Sequence, residues 1–146
     1  MEVENMLKGS KTAENLMKSF AGECQARTRY TYYSSIAKKE GYIQIANIFM
    51  ETAEQEKEHA KIFLKFLKSE YNDEEIEIKA SYPVALHEET KNNLMKAADG
   101  ENAEWTKDYP QFAQIAKKEG FNKIAMAYEK IAKIEARHER RYRRDT

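Results

Sequence analysis

One sequence feature, present twice, restricts this chain more than any other. Residues 54–60, Glu-Gln-Glu-Lys-Glu-His-Ala, lie on a helical seam that runs Ile45, Phe49, Thr52, Glu56, His59, Phe63, Phe66 in steps of four and three. That spacing belongs to a helix face turned toward a core, yet a carboxylate and an imidazole occupy its middle. The seam recurs as Ile124, Tyr128, Ile131, Glu135, His138, Tyr142, at an offset of 79. Ile36-Ala-Lys-Lys-Glu-Gly-Tyr42 and Ile115-Ala-Lys-Lys-Glu-Gly-Phe121 stand in the same register. The chain is therefore a duplicated helix pair, with Glu-x-x-His in the second helix of each pair.

The rest of the sequence agrees with an all-α fold. Only five Gly and two Pro punctuate 146 residues, and Lys, Glu, Ala and Ile dominate. Gly41 and Gly120 each close a long helical pattern where a C-terminal glycine belongs. The pattern predicts helix A over about 12–40 and helix B over about 42–70. A crossover follows over 71–82, then helix C from near Pro83 to about 119 and helix D over about 121–143. Pro83 is read as a first-turn proline. Two short links around one long B–C connection describe a ferritin-like four-helix bundle, a single domain over 1–146. Charge is balanced at twenty-five residues of each sign, so neither a nucleic-acid nor a membrane partner is expected. No apolar run is long enough to span a bilayer, and Met1–Asn5 lacks the opening of a signal peptide. Cys24 is the lone cysteine, which suits a reducing, cytoplasmic setting.

Glu and His three apart share one helix face. A lone Glu commonly sits at a helix edge, and a lone His is commonly a hydrogen-bonded core residue, but a pair at matched places in a repeat asks for one shared cause. Helix A places Glu23 on its seam of Leu16, Phe20, Tyr30 and Ala37, and helix C places Glu101 and Glu104 beside Leu94 and Ala97. Five carboxylates and two imidazoles thus face one interior. A buried, unpaired carboxylate costs several kcal/mol, and a domain holds only about 5–15 kcal/mol of net stability. Two multivalent cations remove the difficulty, and an oxygen-rich site with one imidazole per ion suits iron or manganese.

These residues resemble the rubrerythrin family from about Lys11 to Arg143. The most specific stretches are Gly100-Glu-Asn-Ala-Glu-Trp-Thr-Lys-Asp-Tyr-Pro110 and Ile134-Glu-Ala-Arg-His-Glu-Arg-Arg-Tyr142. Glu104, whose place in the first half is held by Ala26, is the extra carboxylate that separates rubrerythrins from ferritins. The resemblance implies two iron ions, joined by an oxo or hydroxo bridge when oxidised, with manganese or zinc able to substitute. It implies that Glu56 and Glu135 bridge them, that Glu101 and His138 serve one ion, and that Glu23 serves the other. That second ion would be held by Glu104 when oxidised and by His59 when reduced. Family members reduce hydrogen peroxide to water in protection against oxidants. By the same resemblance, Tyr30 and Tyr109 hydrogen-bond to carboxylates of the metal site. Trp105 is read as packing or interface, Cys24 as an ordinary small residue and His87 as a surface residue.

The repeat yields one more expectation. Seven residues separate Glu23 from Tyr30, but eight separate Glu101 from Tyr109, and Pro110 follows without an N–H. A π-bulge between about Glu101 and Tyr109 absorbs both irregularities.

Typical rubrerythrins also carry a rubredoxin-like domain built on two Cys-x-x-Cys pairs. With Cys24 alone this chain cannot form one, so it is expected to be either a naturally short member or a fragment. In both cases it is expected to draw electrons from a separate donor such as rubredoxin, and to form a homodimer that can exchange helices across the long crossover. The rival readings are a ferritin-like ferroxidase that handles iron, a manganese catalase-like enzyme and a helical scaffold whose seam charges pair among themselves. Lys57 and Lys61 lie on the wrong faces for that pairing.

Overall fold

The computed structural model describes residues 6–146; Met1–Asn5, read above for a targeting signal, lie outside the described residues. Five α-helices form four rods: α1 (Lys11–Lys39), α2 (Ile43–Tyr71), α3 (Thr90–Ala103) continued by α4 (Tyr109–Lys118), and α5 (Asn122–Arg144). Among the described residues there is no strand. No helix there is long and apolar enough to cross a membrane. This is the ferritin-like four-helix bundle the repeat predicts.

Ser10 caps α1 by accepting from Ala13 N at 3.0 Å. The two hairpins then turn by the same device. Gly41 and Gly120 adopt left-handed φ of 89° and 90°, so the chain can close each helix with a pair of reverse bonds. Tyr42 N donates to Ala37 O and Phe121 N to Ala116 O, both at 2.8 Å.

The structure corrects the start of helix C. It begins at Thr90 rather than near Pro83, and residues 72–89 form a long irregular crossover. The reason lies in tertiary contacts that a proline signal does not report. Tyr82 Oη donates to Lys18 O at 2.6 Å, and Tyr33 Oη donates to Ala85 O, which pins the extended segment across α1. Asn93 then accepts from His87 N at 2.9 Å and donates to His87 O at 2.8 Å, holding the chain extended up to the helix. Thr90 N donates to Glu40 Oε1 at 2.6 Å, so a carboxylate from the end of α1 caps α3. The other half mirrors it: Thr12 N donates to Glu119 Oε1 at 2.8 Å.

The expected π-bulge is present as a π-helical turn over Glu104–Asp108, between α3 and α4. Two hydrophobic plugs fill the bundle. One joins Leu16, Phe63, Tyr109 and Tyr128; the other joins Tyr30, Phe49, Leu94 and Tyr142. The polar residues of the doubled motif lie between them, so apolar packing closes the interior at both ends.

Candidate metal centre

Each rod contributes to the space between the plugs. Glu23 comes from α1, Glu56 and His59 from α2, Glu101 from α3, and Glu135 and His138 from α5. All four carboxylates are 0% exposed, and the imidazoles are 5% and 4% exposed. They form two groups whose candidate donor atoms lie within 4.8 Å of one another. One is Glu23, Glu56, His59 and Glu135; the other is Glu56, Glu101, Glu135 and His138. Glu56 and Glu135 belong to both. His59 Nδ1 stands 3.1 Å from Glu135 Oε1 and 3.6 Å from Glu23 Oε2. His138 Nδ1 stands 3.1 Å from Glu56 Oε1 and 3.5 Å from Glu101 Oε1.

Outer contacts orient these groups. Tyr30 Oη donates to Glu101 Oε1 at 2.8 Å, and Tyr109 Oη donates to Glu23 Oε1. Burial raises both phenols well above their ordinary range, with Glu101 adding to it for Tyr30 and Glu104 for Tyr109. They stay protonated and act as donors. His138 Nε2 meets Gln55 Oε1. An amide oxygen only accepts, so Nε2 carries the hydrogen and Nδ1 turns its lone pair inward.

Glu104 is half-buried on the π turn and belongs to neither group. Desolvation, then the charges of Glu23 and Glu101, push its carboxyl well above the ordinary range. Six of the seven sequence-predicted ligands therefore converge, and Glu104 stands beside them. The sequence reading did not single out Gln55, although it lies one turn before His59 on the same helix. Nor did it find that Trp105 Nε1 donates to Glu139 Oε1 at 2.6 Å; no spacing rule signals that contact. Cys24 is partly exposed, and His87 is engaged through its backbone.

The donor set fits a pair of cations. Glu23 Oε2, both oxygens of Glu56 and of Glu135, Glu101 Oε2, and Nδ1 of both histidines are buried without a hydrogen-bond partner. Such atoms are normally satisfied, and bare charges at this depth are prohibitively costly. Two carboxylates shared by both groups, one histidine per group and near-complete burial suit a di-iron site.

The metal-free protein pays in pH dependence. Burial, then the charge of Glu23, raises Glu56 well above the ordinary carboxyl range; burial, then Glu101, does the same to Glu135. Burial also pushes Glu101 upward, but its close approach to Glu135 and His138 and the hydrogen bond from Tyr30 prevail and its direction is down. With raised groups in the majority, the folded chain holds protons that the unfolded chain has released. Its stability is complete below the ordinary carboxylate range and is lost as pH rises through the raised folded values. Each tenfold change in proton affinity is worth about 1.4 kcal/mol, roughly 4 °C in Tm for a domain of this size. Chelated protein should therefore melt several degrees lower at pH 8 than at pH 5 in calorimetry, and metal should abolish the difference. A metal-free Tm that climbs over this interval would contradict the burial of these acids.

The chain matches the family model for rubrerythrin over residues 14–145. It is 62% identical over 136 residues to the rubrerythrin of Clostridium perfringens, covering 93% of this chain and 70% of that protein. To the rubrerythrin of Porphyromonas gingivalis it is 56% identical over 141 residues, covering 97% of this chain and 68% of that one. A solved structure of nigerythrin, fully reduced and all ferrous, superposes with a TM-score of 0.80 at 31% identity, covering 97% of this chain and 72% of that one.

Proposed function

Since the chain belongs to the rubrerythrin family, we propose that it is a di-iron peroxidase that reduces hydrogen peroxide to water. The observation that carries this reading is the pair of fused, buried donor groups sharing Glu56 and Glu135. In it Glu56 and Glu135, which belong to both groups, would be shared by the two ions, Glu101 and His138 would hold one, and Glu23 and His59 would hold the other. When bound, an iron pair would supply the two electrons that cleave the O–O bond. The side chains do the rest. Tyr109 and Tyr30 each occupy one oxygen of a ligand carboxylate and leave the second, unpartnered oxygen for the ion. Gln55 holds the His138 ring in the ligating tautomer. The flanking plugs close both ends of the site with apolar packing, which lowers the local dielectric and strengthens the charge interactions between them.

Glu104 is proposed as the carboxylate that alternates with His59. In the present arrangement it is His59 that completes the group with Glu23. An anionic oxygen favours the ferric ion and neutral imidazole the ferrous one, so this choice of partner follows oxidation state. Hydrogen peroxide as substrate, a donor such as rubredoxin and a homodimeric assembly belong to the same proposal.

The test begins with chain reduced under nitrogen and loaded with iron, then mixed with peroxide in a stopped-flow instrument. One peroxide should be consumed for each pair of ferrous ions oxidised, with no oxygen released. Oxygen evolution would instead indicate catalase-like chemistry, and oxidation by air alone with continued iron uptake would indicate iron handling.

A further inference from the structure

Glu139 follows His138 on α5 and lies outside both donor groups, yet it is buried. Its carboxylate is fully engaged. Oε1 accepts from Trp105 Nε1 at 2.6 Å and from Asn102 Nδ2 at 3.0 Å. Oε2 accepts from Arg143 Nε at 3.0 Å, and Arg143 Nη2 in turn donates to Asp99 Oδ1 at 3.1 Å. The partners are placed tellingly: Asn102 follows Glu101, Trp105 follows Glu104, and the π turn opens at Glu104.

The internal repeat serves as a comparison. In the alignment of Asp99-Gly-Glu101 with Ala21-Gly-Glu23, Asn102 corresponds to Cys24 and Trp105 to Arg27. At the Glu-x-x-His offset, Glu139 corresponds to Ala60. A methyl group can accept no hydrogen bond, and in the first half Cys24, Arg27 and Ala60 line an open groove of about 300 Å³. There α1 runs as unbroken α-helix from Lys11 to Lys39. The half that has the carboxylate clamp has the π turn, and the half that lacks the clamp lacks the turn.

A π turn needs such support, because its backbone geometry is less favourable than that of an α-helix. Relaxing to α register would displace residues on one side of it by one position, about 100° of rotation. Glu101 and Glu104 could then not share a face with Tyr109. We propose that Glu139 is a positioning residue: by holding Trp105 and Asn102 it keeps the π turn in place and sets where Glu101 and Glu104 stand relative to His138. This role rests on the di-metal reading above.

The test uses the full chain, metal-free, titrated with cobalt(II) and followed by visible absorption. Glu139→Ala and Trp105→Phe should each weaken the second cobalt ion about 10- to 100-fold, the usual effect of removing a partner behind a ligand, and should alter the band pattern. Glu139→Gln keeps an acceptor for Trp105 and should recover most of the affinity. Asp99→Ala cuts only the outer ion pair and should leave affinity and bands as in wild type. Trp105 is the sole tryptophan, so its indole N–H exchange reports the clamp directly, and Trp105→Phe decides the matter if Glu139→Ala does not fold. Wild-type affinity and bands in both disrupting variants would overturn the role, as would an equal loss in Asp99→Ala. Fewer than two cobalt ions on the wild-type chain would overturn the di-metal reading and this role together, a distinguishable result.

Discussion

Glu56→Gln should abolish stable binding of a metal pair and, in the same molecule, should raise the melting temperature of the metal-free chain at pH 8. Glu56 is 0% exposed, lies in both donor groups, and has neither carboxylate oxygen satisfied by hydrogen bonding. A neutral amide of nearly equal size removes an anionic donor that belongs to both groups, so neither group keeps its full donor set. It also removes a buried charge whose desolvation costs several kcal/mol, and whose raised carboxyl penalises the folded state as pH rises. Stability and function thus move in opposite directions at one residue, as expected where a site is held against the local preference of the fold. Metal analysis after dialysis and calorimetry of the chelated protein measure the two halves. A variant retaining two ions per chain, or one melting lower than wild type at pH 8 without metal, would count against placing Glu56 as a bridge.

Glu104→Ala should have the converse profile: two ions bound, with turnover slowed. Glu104 is only half-buried and belongs to neither donor group, so its loss removes no ligand from the arrangement in which His59 completes the group with Glu23. On the proposed alternation, what it removes is the anionic alternative to His59. On that proposal His59, a neutral ligand, would then stand where a negative one is preferred in the oxidised state, and turnover would carry that cost. Removing one preorganised charge-stabilising group from a reacting centre costs on the order of 100-fold in rate. Steady-state peroxide reduction with an excess of donor, set beside iron content, separates the two effects. Turnover within a factor of two of wild type would sink the proposed alternation.

Much of this was legible along the chain, for specific reasons. Helical periodicity placed Glu56, His59, Glu135 and His138 on core faces, and all four are buried there. Glycine spacing located both hairpins, since a left-handed φ is available chiefly to glycine. Counting seven residues against eight revealed the π turn, because an odd insertion in a long helix must be absorbed locally. The start of helix C was misread at Pro83, because a proline accepted by a helix start is equally accepted by an extended strap. Gln55 behind His138 and Glu139 behind Trp105 were overlooked, since each contact joins separate helices and follows no fixed spacing.

Local order alone therefore determined the helices, their inward faces and the pairing of the two halves, because periodicity and backbone conformation act over a few neighbouring residues. Only the folded bundle decided which oxygens remain without partners, which phenols hold their neighbours, where the crossover is strapped to α1, and that Glu104 stands apart while His59 stands in. Those outcomes depend on distances between rods far apart along the chain, which no pattern of nearby residues encodes.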